Sequence, residues 1–412
     1  MRVLLFSHYY PPETHGGTQG YVEKLARLLA VDGHTVLVVA GARKHSAAGE
    51  VEAAEQDGVA VRRILRDLET ENSSGDEGCA RIGAVVERLA HEFAPDVIHV
   101  HHWHALTRDL VRRMKALGRP VVLTLHDLYT TCPLFFRMPD ARHFCASDVP
   151  LSRCAECIAP RVPGRSVAEL EAGLGERRTA MRAEMAAADR VLAVSRPQAE
   201  YLCSIPGFGG LALEILPIGI VLDEEGSPPA PARRGDRLRI VNWGGLDPRK
   251  GIHLLLEAVR SSGHAARFEI HLHGREGDPE YMAELRRAGE GLAVFFHGPF
   301  AAGEERRFAA EYDVAVMPFL AFETYALAVD EALRHGIPIV VSDHGAPPDR
   351  IGGRGLIFRN GDPAALRAVL ERLLAEPARL AGLRRGSHAA KDLREHYRAL
   401  LRLYGGLVDG AG

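Results

Sequence analysis

The sequence has little of what marks exported, membrane-spanning or nucleic-acid-binding chains. Nowhere in its 412 residues do about 18 apolar residues run together, so we expect no membrane-spanning helix. The first apolar run, Val3 to Phe6, is shorter than the core of a secretory signal, and we expect a cytoplasmic protein. The net charge is only −3, so a nucleic-acid partner, which requires extensive phosphate neutralisation, is not expected.

The residues that are present suit a large globular protein. Apolar residues make up 46% of the chain and charged residues 25%, which is unlike a disordered or fibrous protein. At roughly 150 residues per domain, the length indicates two to three domains.

Both halves of the chain alternate short apolar runs with segments of helical period. Continuous apolar runs predict buried parallel strands at 2–6, 35–39, 97–100, 121–125 and 191–194, and again at 239–243, 269–274, 293–298, 314–318 and 338–342. Strands that alternate with helices indicate the α/β class, with two tandem Rossmann-like, doubly wound domains that face each other across a cleft.

Composition places the domain boundaries. We expect a first domain at 1–205, a linker rich in Gly, Pro and Ala at 206–236, and a second domain at 237–385. Asp362 followed by Pro363 predicts a capped helix start near the end of the second domain. The last segment, 386–412, predicts a helix that packs back on the first domain.

Three segments that follow predicted strands carry candidate ligand-binding residues. Gly244, Gly245 and Lys250 lie in a Gly-rich turn, which allows a backbone to approach a diphosphate while the lysine supplies charge. Gly16 and Gly17 follow the first strand in the same way. The alternative for each turn is a tight or flexible connection without a ligand.

The third segment, 322–336, contains two glutamates. Glu323 is predicted to lie in a loop and Glu331 inside the following helix, where it is placed to accept hydrogen bonds from a ribose. The amides of Thr324, Tyr325, Ala326 and Leu327 would then be the unpaired donors of a helix N-terminus, which attract phosphate. Alternatively, the glutamates only favour the helix dipole or are solvated.

Four cysteines cluster in the first half of the chain. Cys132, Cys145, Cys154 and Cys157 are separated by twelve, eight and two residues, within an insert at about 132–163. Four thiols with one close pair suit a structural zinc site or an iron-sulfur cluster, with zinc favoured. Free buried cysteines or disulfides are the alternatives.

These motifs together resemble the retaining glycosyltransferases of family 4, a sugar-nucleotide-dependent group with the GT-B fold. The resemblance covers nearly the whole chain and is most specific in the segment FETYALAVDEALRHGIPIVVSD, with support from the segments HYYPPETHGG, DVIHVHHWHA, TLHD and GGLDPRKG.

The resemblance implies a role for each matching residue. Lys250 would contact the donor diphosphate, Glu331 the ribose, and Glu323 with the amides of 324–327 the donor sugar and phosphates. His126 would reach the donor sugar, so that His126, Glu323 and Lys250 form the catalytic set. The backbone around His297 would hold the base.

The resemblance further implies transfer of a hexosyl unit from a UDP- or GDP-sugar to an acceptor hydroxyl, in polysaccharide or glycoconjugate biosynthesis. The first domain would bind the acceptor, which is a glycan, a lipid-linked sugar or a small molecule. Since amides and Lys250 stabilise the leaving diphosphate, no catalytic divalent metal is expected.

Some features depart from the family or leave alternatives open. The family usually has arginine where Gly245 stands, and Arg249 or Arg275 is the candidate substitute. A non-catalytic sugar-nucleotide-binding or metal-sensing protein of the same fold is the alternative function. The cationic helix face at 111–115 has two interpretations. One is a peripheral contact with the inner membrane face, and the simpler one is a solvated surface. An NAD-dependent oxidoreductase is disfavoured, because GxGxxG does not follow the first strand.

Overall fold

A computed structural model of the chain describes residues 1–14, 16–46, 49–66, 80–221, 236–301, 303–385 and 390–410. The chain divides into two compact units. Unit 1 comprises Met1–Arg137, Cys145–Pro217 and Arg394–Gly412, and unit 2 comprises Met138–Phe144 and Ile218–Leu393. Each unit contains a largely parallel sheet with helices, so the predicted class of two α/β domains is confirmed.

Unit 1 contains an eight-stranded sheet. Its strands are β1 (Arg2–Ser7), β2 (Thr35–His45), β3 (Val51–Gln56), β4 (Val59–Arg66), β5 (Val97–Val100), β6 (Val121–Leu125), β7 (Arg190–Ala193) and β8 (Glu214–Ile215). They lie in the order β3-β4-β2-β1-β5-β6-β7-β8, and only β3 is antiparallel to its neighbour. The hairpin β3–β4 was not predicted, although Asp57-Gly58 at its turn is a typical hairpin signal.

The helices of unit 1 connect these strands. They are α1 (Gly17–Val31), α2 (Ala80–Phe93), α3 (Leu110–Ala116), α4 (Leu151–Ile158), α5 (Val167–Ala187) and α6 (Arg196–Ser204). Helix α1 shows why they form, since Tyr21, Leu25 and Leu29 recur at helical spacing and are buried.

Unit 2 contains a six-stranded parallel sheet. Its strands are β9 (Leu238–Trp243), β10 (Phe268–His273), β11 (Val294–Gly298), β12 (Val314–Met317), β13 (Ile339–Ser342) and β14 (Leu356–Phe358). They lie in the order β11-β10-β9-β12-β13-β14. Ile240 and Val241, adjacent in β9, belong to two different apolar clusters, so both faces of this sheet are covered.

The helices of unit 2 include one whose start was predicted in detail. They are α7 (Ile252–Arg260), α8 (Pro279–Gly289), α9 (Phe308–Glu311), α10 (Leu327–Arg334), α11 (Pro347–Ile351), α12 (Pro363–Ala375) and α13 (Pro377–Arg385). Asp362 directly precedes α12 and accepts hydrogen bonds from the amides of Ala364 and Ala365 in its first turn, which confirms the predicted cap.

The strand order places a topological switch point in each sheet. In unit 1 the chain runs outward from β1 to one side through β2 and later to the other side through β5. In unit 2 the same reversal separates β10 from β12, which flank β9. Ligands of doubly wound sheets bind beside the carboxyl ends of the strands at such points. The loops that follow β1, β5, β9 and β12 are therefore the candidates for function.

The C-terminal helix α14 (Leu393–Asp409) packs within unit 1. The Tyr404 hydroxyl lies 2.5 Å from Nδ1 of His99 on β5, and the Tyr397 hydroxyl donates to Asp32 at 2.7 Å. The predicted linker contains β8, and 222–235 of it lie outside the described residues, as do 386–389 and 411–412 of the predicted last segment.

One short segment of the cysteine insert belongs to unit 2. In Met138–Phe144, Met138 is buried in an apolar cluster with Leu254, Leu320 and Ala321. The Phe144 ring stacks on Phe322, with 5.6 Å between centroids. Unit 2 is therefore assembled from two separate parts of the sequence.

Candidate functional site

An ion pair joins the loops that follow β9 and β12 in unit 2. Lys250 lies in a short 3₁₀ helix after β9, and its Nζ is 2.7 Å from Oε1 of Glu323 in the loop before α10. The ammonium also lies 4.9 Å from the centroid of the Phe319 ring. The two predicted catalytic residues of unit 2 thus lie together at its switch point, although 73 positions separate them in sequence.

The second glutamate is also fixed by a side chain from β9. As predicted, Glu331 lies inside helix α10, and its Oε2 accepts a hydrogen bond of 2.7 Å from Nε1 of Trp243, the last residue of β9. The contact fixes the position of the Glu331 carboxylate relative to the end of β9. Sequence reasoning missed Trp243, although its place at the end of a strand and before Gly244 was a usable signal.

The start of α10 has the properties of an anion-binding helix terminus. The residue before the helix, Ala326, has a left-handed backbone with φ 65°, and no described side chain caps the helix. Alanine has no side chain that could accept from the first amides, and the helix dipole favours a negative charge at this end.

Close backbone contacts shape the Gly-rich turn. Gly251 has φ 70°, and a β-carbon there would lie 1.9 Å from the Pro318 carbonyl oxygen. A β-carbon at Gly274 would lie 1.6 Å from the Gly244 carbonyl oxygen. Glycine is thus required at both positions, because any side chain would separate the loops. Gly245 is different, since a β-carbon there would meet nothing within 4 Å.

The two arginines considered as substitutes for the missing cation differ in their contacts. Arg249 is bound by Asp247, with Nε 2.7 Å from Oδ1 and Nη2 2.6 Å from Oδ2. Such a fork-shaped contact occupies much of the guanidinium. Arg275 is exposed, and its carbonyl accepts a hydrogen bond of 3.0 Å from the Leu246 amide inside the turn. Arg275 is thus the better placed of the two.

A buried network supports the loop before α10. Tyr325 donates a hydrogen bond of 2.8 Å to Asp330, which is fully buried and forms an ion pair with Arg350. The Gly219 amide donates to the Tyr325 hydroxyl at 2.8 Å. The side chain of Tyr325 is therefore committed to the fold, and only its backbone remains for the predicted donor contact.

His297 lies on β11 beside two further histidines. Its ring stacks on His273 at 4.2 Å between centroids, and its Nε2 is 2.9 Å from Nδ1 of His271. Burial lowers the pKa of His273 to about 3, so this ring is neutral at physiological pH. The stack orders the end of β11, where the base contact was predicted.

In unit 1, His126 directly follows β6 and lies in a buried histidine cluster. Its Nε2 is 3.1 Å from Nδ1 of His101, and the Tyr21 ring lies 5.1 Å from its ring centroid. Burial lowers the pKa of His126 to about 3 and also lowers the pKa of His101 well below its ordinary value. Both imidazoles are therefore neutral.

The contacts of His101 indicate the tautomer of His126. Nε2 of His101 is buried and has no hydrogen-bond partner among the described residues. An unpaired buried N–H costs more than an unpaired lone pair, so the proton of His101 lies on Nδ1 and is donated to His126. His126 then carries its own proton on Nδ1. Sequence reasoning missed His101, which the pattern His-x-His at the end of β5 could have indicated.

The predicted glycines of unit 1 lie at the start of α1. Gly16 is the residue before the helix and Gly17 is its first residue, and no described side chain caps this end. Both follow β1, and so they lie at the switch point of unit 1.

The four cysteines are free thiols in one neighbourhood of unit 1. Burial, with a smaller contribution from the thiols of Cys132, Cys154 and Cys157, raises the pKa of Cys145 to about 11. Across the described ranges, however, no group of three or more His, Cys, Asp or Glu side chains is arranged to hold a metal ion. The predicted zinc or iron-sulfur centre is therefore not supported, and metal analysis of protein purified without air would test it directly.

The insert contains a helix with an apolar contact face. Cys154 and Cys157 lie on α4, and Cys154 packs with Ala155, Leu170 and Leu174 in an apolar cluster shared with α5.

The cationic face at 111–115 does not present free charge. Arg112 is 2.8 Å from Glu184, Arg113 pairs with Asp109 and Glu87, and Lys115 is 2.9 Å from Asp189. These ion pairs agree with the simpler interpretation of a solvated surface, and the peripheral membrane contact stays a prediction. No helix in the described residues is long and apolar enough to cross a membrane.

Comparisons with known proteins agree with this geometry. The profile described as Glycosyltransferase Family 4 matches residues 15–224, and the profile described as Glycosyl transferases group 1 matches residues 237–376. The D-inositol 3-phosphate glycosyltransferase of Xylanimonas cellulosilytica is 26% identical over 403 residues, which span 91% of this chain and 87% of that protein. The glycogen synthase of Mycobacterium tuberculosis is 23% identical over 96% of this chain and 91% of its own.

Solved structures show the same fold. Sucrose-phosphate synthase from Thermosynechococcus elongatus aligns with a TM-score of 0.70 at 18% identity, over 99% of both chains. HepE of Anabaena in complex with UDP aligns with a TM-score of 0.64 at 16% identity, over 98% of this chain and 100% of that one. With one family profile covering more than half of the chain and the GT-B architecture present, this protein belongs to glycosyltransferase family 4.

Proposed function

We propose that the protein is a retaining hexosyltransferase that uses a UDP- or GDP-sugar as donor and an acceptor hydroxyl as nucleophile. The observation that carries the proposal is the pairing of Lys250 with Glu323, at 2.7 Å, beside the uncapped start of α10. Cationic, amide and carboxylate groups meet there at the switch point of one sheet. A diphosphate sugar presents the matching phosphates and hydroxyls.

The phosphate-binding part follows from charge. When the bond between the sugar and the diphosphate breaks, negative charge grows on the leaving phosphate. Lys250 has three N–H donors, of which Glu323 occupies one, and the amides at the start of α10 add further donors. Because these groups are fixed before the reaction, they stabilise the transition state more than the ground state. They perform the task that a divalent cation performs in other transferases.

The remaining residues orient the sugar nucleotide. Glu331, held by Trp243, is proposed to accept hydrogen bonds from the ribose, and Glu323 from the donor sugar. His126, neutral and carrying its proton on Nδ1, is proposed to donate a hydrogen bond to the donor sugar. The acceptor proton passes to the leaving phosphate, so no protein base is required.

Two measurements test this proposal. A screen of UDP-, GDP- and ADP-sugars by thermal shift should show one donor that raises the melting temperature. Release of the nucleoside diphosphate with formation of a glycosylated product then distinguishes an enzyme from the alternative of a non-catalytic sugar-nucleotide-binding protein. Gly245 is the observation that favours this alternative. Stabilisation without turnover on any acceptor would support it.

Gly245→Arg should strengthen donor binding. The position is open to a side chain and lies in the turn that carries Lys250, so a guanidinium there adds a second cation for the diphosphate. We expect the KM for the donor to fall about tenfold, equivalent to about 1.4 kcal/mol. Initial-rate kinetics would measure this effect. The control Gly245→Ala adds a β-carbon without charge and should leave KM unchanged; an equal effect of both variants would contradict the prediction.

The pH dependence should reflect a neutral His126. Because burial lowers its folded-state pKa from 6.5 to about 3, folding favours the neutral form. Its contribution to stability is present above pH 6.5 and is lost as the pH falls towards 3. Transfer per folded molecule, with folding followed by circular dichroism, should therefore stay constant between about pH 7.5 and 5. A loss of turnover with a midpoint near 6.5, in protein that remains folded, would show that His126 titrates normally.

A further inference from the structure

A short peptide of the cysteine insert, Met138–Phe144, packs in unit 2 beside the segments that carry Lys250 and Glu323. The chain enters and leaves this peptide at one point, because the Cys145 amide donates a hydrogen bond of 2.8 Å to the Arg137 carbonyl. The peptide is therefore a loop with a fixed base, and the side chains at its two ends contact unit 2.

The first contact is made by Met138, which is buried. Its side chain belongs to an apolar cluster with residues from two segments of unit 2, Leu254, Leu320 and Ala321. Leu254 belongs to helix α7, which directly follows the turn of Lys250, and the other two residues belong to the loop that leads to Glu323. Met138 thus contacts both segments that form the ion pair.

Backbone hydrogen bonds join these two segments at the same place. The amides of Leu320 and Ala321 donate to the Arg249 carbonyl at 2.9 and 3.1 Å. Arg249 directly precedes Lys250, so these bonds set the position of the lysine turn relative to the loop of the glutamate. The buried methionine packs against this junction.

The second contact is made by Phe144, which belongs to a cluster of three rings. Its ring stacks on Phe322 at 5.6 Å between centroids and meets the His344 ring edge to face at 4.6 Å. The Phe322 and His344 rings also meet edge to face, at 5.3 Å. Ring pairs of both geometries stabilise a structure beyond the burial of their surface. Because Phe322 directly precedes Glu323, the cluster holds the loop immediately before this carboxylate.

The segment that contains His344 also holds the backbone of Glu323. It follows strand β13, and the Ala346 amide donates a hydrogen bond of 2.8 Å to the Glu323 carbonyl. A β-carbon at Gly345 would lie 2.5 Å from the same carbonyl oxygen, so the two backbones are in close contact. The Phe144 ring therefore packs on two segments that are already joined at Glu323.

An ion pair in the middle of the peptide contributes less. Nη2 of Arg142 lies 2.6 Å from Oε2 of Glu284 on helix α8, and the two side chains are 40% and 35% exposed. Ion pairs with this exposure add little to stability because solvent screens them. The apolar contacts of Met138 and Phe144 are thus the ones expected to hold the peptide in place.

We infer that Met138 and Phe144 are positioning residues of the donor site, because they hold the loop of Glu323 against the turn of Lys250. The inference rests on the proposed function and adds two residues to it that lie outside the set proposed to contact the donor. Displacement of a catalytic group by about 1 Å can lower a rate about 100-fold, even when the altered residue is far from the reacting atoms. Since Lys250 is proposed to act on charge that develops in the transition state, its displacement should affect kcat more than KM.

Phe144→Ala tests this role in the full-length enzyme with its donor. We expect kcat to fall at least about tenfold, while the KM for the donor changes by less than about threefold. Phe144→Tyr keeps the ring and should retain a kcat within about twofold of wild type. Phe93→Ala is the matched control, because Phe93 packs on Arg2 at the amino end of β1, and its kcat should equal that of wild type.

A double-mutant cycle distinguishes positioning from a general loss of structure. If Phe144 acts through Lys250, Phe144→Ala should change the residual rate of the Lys250→Ala variant by less than about threefold. A loss of folded enzyme would instead lower the rate by the same factor in both backgrounds, and that result would overturn the inference. Phe144→Leu, which removes the ring and keeps an apolar side chain, replaces Phe144→Ala in the cycle if the alanine variant does not fold.

Hydrogen exchange of the full chain without donor, followed by mass spectrometry, tests the same contacts independently of turnover. The segment with the amides of Leu320 and Ala321 should exchange at least about tenfold faster in Phe144→Ala and in Met138→Ala, whereas strand β10 should exchange as in wild type. Unchanged exchange in this segment, or an equal acceleration in β10, would overturn the inference. Local acceleration in a protein that turned over no donor would support the inference and contradict only the proposed function.

Discussion

Replacing Lys250 with alanine should lower the rate of sugar transfer by about 100- to 1,000-fold, which is typical for loss of one donor to a developing oxyanion. Lys250 is the lysine whose Nζ pairs with Glu323 at 2.7 Å beside the start of α10. Its removal withdraws charge from the leaving phosphate and leaves Glu323 to repel it. Initial rates of nucleoside diphosphate release should show the loss mainly in kcat.

The control for this variant is another lysine-to-alanine change. Lys24 is exposed on α1 in unit 1, and Lys24→Ala should transfer sugar at the wild-type rate. Lys250→Arg keeps the charge with a different shape and should retain intermediate activity. If Lys250→Ala kept more than about a third of the wild-type kcat, Lys250 would not stabilise the leaving group, since the expected loss is far larger.

Asp330→Ala should lower the free energy of unfolding by about 3–5 kcal/mol, the usual cost of removing one partner of a buried ion pair. Asp330 is fully buried and receives both the Arg350 guanidinium and the Tyr325 hydroxyl. Its loss leaves a buried cation and a buried hydroxyl without their acceptor. Urea unfolding of the full chain would measure the change. Because the network supports the start of α10, stabilisation by the donor should weaken as well.

Asp349→Ala is the matched comparison. Asp349 is exposed and directly precedes Arg350, so its removal changes the same net charge without opening the network. Asp330→Asn keeps an oxygen that can accept from Tyr325, so its free energy of unfolding should lie between those of Asp330→Ala and Asp349→Ala. Equal urea midpoints for Asp330→Ala and Asp349→Ala would show that the network does not stabilise the fold.

The parts of the fold that sequence predicted are those set by local pattern. Buried parallel strands are continuously apolar, so strands such as β1 and β12 were readable within a residue or two. Asp362 followed by Pro363 specified a helix start without tertiary information. The hairpin β3–β4 escaped because charged residues interrupt the apolar run of both strands, and Asp57-Gly58 is the signal that marks its turn.

Site residues were predictable by type but not by pairing. Lys250 and Glu323 were both candidates, yet their contact depends on the adjacency of β9 and β12, which lie far apart in sequence. Asp330 resembles a solvated helix charge, and only the fold reveals Arg350 beside it. The spacing of Cys132, Cys145, Cys154 and Cys157 indicated possible ligands, but spacing alone does not determine whether four thiols converge on one point.

The assignment of Met138–Phe144 to unit 2 has a practical consequence for enzyme engineering. Exchange of the second half of the chain between related transferases would leave this peptide behind, because the first half encodes it. In the hybrid, Met138 would pack against the foreign residue that replaces Leu254, and the Phe144 ring against the foreign residue that replaces Phe322. Neither contact would have the shape that the native pair has. A recombinant enzyme with a new donor preference should therefore inherit this seven-residue peptide together with Ile218–Leu393.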